Sequence, residues 1–176
     1  MSLTLRPAVK ADLPALAKLM NFAYRGTGPT ASWNTESRYI EGNRTSEAAL
    51  MEEITAKPEA FLLIAEHDAT APILGCVWLE PLSAKTWYLG SLAVDPSLQK
   101  SGVGRALLNL AEQWANQRGA RILEMHVINV RDTLIAWYER RGYRLTGVTH
   151  PFPYGDDRFG TPLRDDLIFV VLEKHL

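Results

Sequence analysis

Residues Leu92 to Arg105 read LAVDPSLQKSGVGR. Leu92, Ala93 and Val94 end an apolar run that the Asp95-Pro96 pair turns aside. A loop holding Gly102 and Gly104 then enters a segment in which Val103, Ala106, Leu107, Leu110, Ala111, Trp114 and Ala115 recur at helical steps. The stretch therefore predicts strand, loop, helix. The first N–H groups of such a helix have no backbone partner and its dipole favours negative charge, so the loop suits a phosphate or pyrophosphate. Gly102 and Gly104 would let that ligand approach the backbone, although glycines so spaced also fit a plain tight turn. Two other phosphate loops are excluded. The dinucleotide pattern G-x-G-x-x-G needs glycine where Leu107 stands, and the Gly-Lys-Ser/Thr of a P-loop is absent.

Downstream, Arg118 and Gly119 supply a cationic last turn and a left-handed stop. A strand is predicted over Arg121 to Val127, a helix over Asp132 to Arg141 ended by Gly142, and strands over Tyr143 to Val148 and Asp166 to Leu172. Upstream, the apolar runs Ala60 to Glu66, Ile73 to Glu80 and Thr86 to Val94 are separated by turn formers, which predicts an antiparallel meander. Thr45 or Ser46 opens a helix that Pro58 ends. Leu3 and Leu5 alternate as a first strand. Asp12 is placed to cap a helix with Leu13, Leu16, Ala17, Met20 and Tyr24 on one face. This order mixes hairpins with strand-helix-strand crossovers, so the expectation is an α+β fold over residues 1–176 as a single domain around one mixed sheet.

The 176 residues are 47% hydrophobic and 22% charged, which excludes a disordered, collagen-like or coiled-coil chain. Nineteen Lys and Arg against 20 Asp and Glu leave a net charge of -1, so no global field draws nucleic acid or anionic lipid. One cysteine, Cys76, excludes an internal disulfide and lies in an apolar run as a buried, inert thiol. No apolar stretch reaches the roughly 18 residues of a membrane span, and Met1 to Val9 lacks the apolar core of a signal peptide; the expected location is cytoplasmic. Two loop-like segments, Arg25 to Asn34 and His150 to Pro162, carry Gly, Pro and aromatics.

With the flanking elements in place, Gln99-Lys100-Ser101-Gly102-Val103-Gly104 resembles the Q/R-x-x-G-x-G/A motif of the GCN5-related N-acetyltransferase (GNAT) superfamily. An L-x-V-x-P strand end (Leu92, Val94, Pro96) precedes it, and Tyr138 to Tyr143 is similar to the Y-x-x-x-G-F/Y element that follows in that family. The resemblance implies a mixed, mostly antiparallel sheet of about seven strands flanked by about four helices. It implies acetyl-CoA as cofactor, its pantetheine arm paired to the backbone of Leu92, Ala93 and Val94. The pyrophosphate would then sit on Gln99, Lys100, Ser101, Gly102, Val103, Gly104 and Arg105. Tyr138 falls where the family tyrosine protonates the departing thiolate. One position departs: where the family often has Asn, this chain has Arg131, with Asn129 two residues earlier. Arg131 is assigned to cofactor phosphate or a substrate carboxylate, with a solvated surface position as the alternative.

The acceptor implied is a primary amine of a small molecule or peptide, acetylated by direct transfer on a monomer or homodimer. An ammonium must lose a proton before it attacks. Glu124 and His126 share one strand face and, with Glu80 and His150, are the candidate bases, Glu124 being placed first. No set of His, Cys, Asp and Glu has metal-ligand spacing along the chain, and Ser91 lacks the second glycine of a nucleophile elbow. Selectivity is expected from Trp33, Thr35, Glu36 and Tyr39 on one wall and Phe152 to Phe159 on the opposite one, with Trp33 and Tyr154 as substrate-binding residues. A non-catalytic acyl-CoA-binding module is the competing reading; an adaptor with an empty groove is disfavoured by the glycine loop.

Overall fold

The computed structural model describes residues 2–176. In chain order its strands are β1 (Thr4–Pro7), β2 (Ile40–Glu41), β3 (Phe61–Glu66), β4 (Gly75–Pro81), β5 (Thr86–Val94), β6 (Ile122–Ile128), β7 (Arg144–Pro151), β8 (Thr161–Pro162) and β9 (Ile168–His175). The helices are α1 (Leu13–Arg25), α2 (Glu47–Ala56), α3 (Val103–Gln117) and α4 (Asp132–Glu139). Seven strands make one sheet in the order β1-β3-β4-β5-β6-β9-β7, and β2 with β8 makes a separate two-stranded ribbon. Within the large sheet only β5 and β6 run parallel. This is the mixed, mostly antiparallel α+β sheet that the sequence predicts.

Both faces of the sheet centre are buried. Leu63, Ala65, Val77 and Leu79 turn to the α3 side, where they meet Leu107, Leu108, Ala111 and Ala115. The alternate residues Leu62, Ile64, Cys76 and Trp78 turn to the α1 side, against Leu13, Leu16 and Met20. Two buried faces explain why β3 and β4 read as continuous apolar runs. Truncating a fully buried leucine such as Leu107 to alanine costs about 2–5 kcal/mol.

Local signals act mostly where the sequence places them. Ser46 rather than Thr45 caps α2, its Oγ accepting from Ala49 N at 3.1 Å. Gly119 stops α3 with φ +104°. Asp12 does not cap α1: its carboxylate accepts from Val9 N and from Arg6, closing the turn before the helix instead. The C-terminal hairpin is longer than expected. β7 continues to Pro151 and takes His150 out of the loop, while β9 begins two residues late at Ile168 and runs to His175. The register of β7 against β9 shifts between Leu145 and Thr149, so the apolar alternation that marks a strand is broken there.

The site is opened by a bulge. Between the pairs Cys76↔Ala93 and Trp78↔Gly90, β5 carries one residue more than β4, and Ser91 there has φ +49°. An extra residue bends its strand and sharpens the local twist. β5 accordingly pairs with β6 only from Thr86↔Ile122 to Tyr88↔Glu124, after which the two strands part in a wedge.

Candidate active site

One side of the wedge is a groove of about 520 Å³ between the end of β5, the start of α3 and the face of α4. Gly102 precedes α3 in the left-handed region at φ +84°, and nothing lies within 4 Å of where its Cβ would be. Lys100, at φ +63°, shares that conformation. The first backbone N–H of α3 with a helical partner is that of Ala106, which donates to Gly102 O. The N–H groups of Gly104 and Arg105 are therefore unspent. Lys100, Arg105, Arg140 and Arg141 line this groove with Asp95 as the one acid, so an anion is favoured. Arg141 stacks on Trp137 at 3.6 Å, and burial followed by the nearby Arg140 and Arg105 lowers its pKa. Its Nε is buried without a partner.

The other side of the wedge is a cavity of about 240 Å³ walled by Tyr88 to Leu92 of β5 and Met125 to Ile128 of β6. Its cover is a single piece. The two loop segments pair with each other through Ile40↔Pro162 and Glu41↔Thr161, and Leu163 N donates to Tyr39 O at 2.8 Å. Gly160 makes this contact possible: a Cβ there would lie 2.4 Å from Arg25 Nη1 and 2.6 Å from Glu41 O. Beneath the cover, buried Glu36 accepts from Arg131 Nη1 at 2.8 Å and from Arg25 Nε at 3.3 Å.

Tyr138 stands between the two spaces and, with Leu92 and Leu134, lines both. Its ring is held edge-on by Trp137 and Tyr143, and its hydroxyl is free of protein hydrogen bonds. Burial first, and the neighbouring Tyr24 second, push its pKa well above the tyrosine range, so the hydroxyl keeps its proton. Tyr143 is the anchor of the same element: fully buried, it donates to Glu112 at 3.0 Å, which also accepts from Lys174.

Of the residues singled out from sequence, Leu92, Ala93, Val94, Gln99, Lys100, Gly102, Gly104, Arg105 and Tyr138 all line the groove. Leu92 O accepts from the Tyr24 hydroxyl at 2.8 Å, which uses one of its two lone pairs. Gln99 spends its side chain on the first loop, accepting from Trp33 N and donating to Ala31 O. Arg131 lies outside the groove and is committed to Glu36 and to Asn34. It is buried and not a solvated surface residue.

The two predicted acceptor walls meet at the cavity, but not through the two residues placed first on them. Trp33 borders the groove, 6.4 Å from Trp137, and does not line the cavity. Tyr154 lines neither space; its hydroxyl donates to Arg164 O and accepts from Leu167 N, which pins its own loop. Glu36, Phe152 and Phe159 do line the cavity. Among the candidate bases, His126 lines it and shares a 2.9 Å hydrogen bond with Glu124, which stands behind it. Glu80 is occupied by Lys57 and Trp78. His150 stacks 4.7 Å from His126, and the ligand atoms of Glu124, His126 and His150 lie within 4.8 Å of one another. The sequence showed no metal-ligand spacing because this trio is assembled across β9. Sequence reasoning missed Arg44, Arg140 and Arg141; only the Arg140-Arg141 pair before Gly142 was visible as local charge.

Comparison with known proteins shows the family and the fold. The family model described as the acetyltransferase (GNAT) family matches residues 21–143. An uncharacterised N-acetyltransferase of Methanocaldococcus jannaschii is 26% identical over 145 residues, covering 80% of this chain and 60% of that protein. The chain thus spans three fifths of that relative, and 28% and 33% of two actinobacterial relatives. Among solved structures, the PaiA N-acetyltransferase of Thermoplasma acidophilum in complex with coenzyme A superposes with a TM-score of 0.69 at 18% identity, covering 100% of both chains. A GNAT family acetyltransferase of Elizabethkingia anophelis with acetyl-CoA bound gives 0.60 at 18% identity, with 99% and 98% covered.

Proposed function

Since the chain belongs to the GNAT acetyltransferase family, we propose that it is an acetyl-CoA-dependent N-acetyltransferase, one domain that acetylates a primary amine of a small molecule by direct transfer. The observation that carries this reading is Tyr138, a protonated and unbonded hydroxyl at the junction of an anion-binding groove and a covered cavity. The groove fits the cofactor: unspent N–H groups at α3, an open approach at Gly102 and four cationic side chains suit a pyrophosphate. Gln99 to Arg105, with Arg140 and Arg141, would hold it. Acetyl-CoA, when bound, supplies the thioester whose acetyl group the amine accepts.

The protein's own part is proton handling and enclosure. His126, oriented by Glu124, takes the amine proton at an imidazole nitrogen, so that the lone pair is available. Tyr138 delivers its hydroxyl proton to the departing thiolate as the carbon–sulfur bond breaks. The β2–β8 cover narrows the cavity to about 240 Å³, which supports a small acceptor. A thiol-release assay with acetyl-CoA and a panel of primary amines tests the reading, alongside a calorimetric titration with CoA. Release that depends on an amine supports it. CoA binding with no release on any amine would replace it by a non-catalytic acyl-CoA-binding module.

A further inference from the structure

The cavity holds three arginines, Arg25, Arg44 and Arg131, against a single carboxylate, Glu36. Their hydrogen bonds are unequal. Arg25 donates from Nε to Glu36, from Nη1 to Gly42 O at 3.1 Å and from Nη2 to Phe159 O at 2.7 Å. Arg131 is spent on Glu36 and Asn34. Both oxygens of Glu36 already face a guanidinium, so its charge is largely balanced before an ammonium arrives. Arg44 differs. It makes one long bond, Nη2 to Ser91 Oγ at 3.3 Å, and its Cζ sits over the Tyr24 ring, 4.3 Å from the centroid. No carboxylate is within ion-pair distance of it among the described residues; Glu36, and more weakly Glu53, act on it only through space. Its other N–H groups are unpaired without being sealed off, so they open on the cavity.

We propose that Arg44 binds a carboxylate on the amine acceptor, so that the substrate class is an amino acid or similar amino-carboxylate and not a simple amine or polyamine. The inference rests on the acetyltransferase reading above. The physical case has two parts. A guanidinium fork with free donors in a partly desolvated cavity is a carboxylate receptor, and the cation–π contact with Tyr24 holds it there. The surplus of positive charge also disfavours the ammonium form of a bound amine, so the same field that holds the acid end lowers the pKa of the amine end. A polyamine would meet repulsion at every nitrogen. The cavity, at about 240 Å³, is smaller than the roughly 300–1,000 Å³ that drug-sized ligands occupy, which suits a molecule of amino-acid size.

The test compares each L-amino acid with its carboxamide, which differs only in that charge, and includes spermidine as the polyamine. With acetyl-CoA saturating, kcat/KM for the preferred acid is expected to exceed that for its amide by about 10- to 100-fold. Arg44→Gln should erase that advantage through KM for the acid, bringing acid and amide to similar kcat/KM, while Arg44→Lys retains part of it. Calorimetry on the CoA-saturated protein provides a readout without turnover. If acids bind over amides and nothing is acetylated, the transferase reading fails and the Arg44 site stands. If amines are acetylated but acids and amides serve equally, or spermidine is preferred, the Arg44 proposal is overturned and the enzyme stands. Equal or absent binding of acids and amides overturns it as well. The wild-type ratio decides even if Arg44→Gln does not fold.

Discussion

The groove and the cavity meet at Tyr138, are both rich in arginine, and use it in opposite ways. In the groove, Lys100, Arg105 and Arg140 are without carboxylate partners, and the backbone of α3 adds unspent N–H groups. In the cavity, Arg25 and Arg131 are locked onto Glu36, and that trio holds the loop from Asn34 to Ile40 beneath the β2–β8 cover. Loose charge suits a ligand that brings several negative charges and arrives from solvent. Locked charge serves architecture, and leaves Arg44 as the selective element.

Four substitutions test this contrast, in descending order of effect. Tyr138→Phe keeps the ring packing and removes only the junction hydroxyl. It should lower kcat by about 10²–10⁴ with CoA affinity nearly unchanged. Because its folded pKa is raised, the proton is lost only above the ordinary tyrosine range, so wild-type kcat should show no alkaline fall from this group below about pH 10. An equally active Phe variant would remove Tyr138 from its role; a steep fall near pH 9 that Tyr138→Phe abolishes would instead keep the role and show that its pKa is not raised.

Glu36→Ala would leave two buried guanidiniums unpaired, and breaking such a buried ion pair costs about 3–5 kcal/mol. Denaturant unfolding measures it. A loss below about 1 kcal/mol would mean that the charges in the cavity are solvated, as in the groove, and the contrast would disappear.

Gly104→Val would push a branched side chain into the groove, where even its Cβ lies 3.7 Å from Val94 and 3.8 Å from Trp137. CoA binding should weaken about tenfold or more, on the order of 1.4 kcal/mol, without loss of fold. Unchanged affinity in a folded variant would place the cofactor elsewhere. Trp33→Ala is the mildest. Since Trp33 borders the groove and not the cavity, KM for acetyl-CoA should rise by a few fold while KM for the amine holds. The reverse pattern would restore Trp33 to the acceptor side.

How much of each region could be read in advance follows from where its residues lie. The groove is largely contiguous: the strand end, glycine turn and helix start come from Leu92 to Arg105, and Tyr138 to Tyr143 returns through one crossover. Short-range rules of periodicity, turn chemistry and helix termini act on neighbours in the chain, so residue order alone was enough for the strand, the loop and α3, while the seven-stranded sheet was what the family resemblance implied. The cavity is made otherwise. Arg131 reaches Glu36 from 95 residues away, and Arg25 reaches Phe159 across 134. The bulge at Ser91 exists only in the register of β5 on β4, and the loops form one cover only because β2 finds β8. A guanidinium's role is set by which acceptor comes within about 3 Å of it. Composition marked Arg25, Arg44 and Arg131 alike as cations, and tertiary packing spent two of them and left one free.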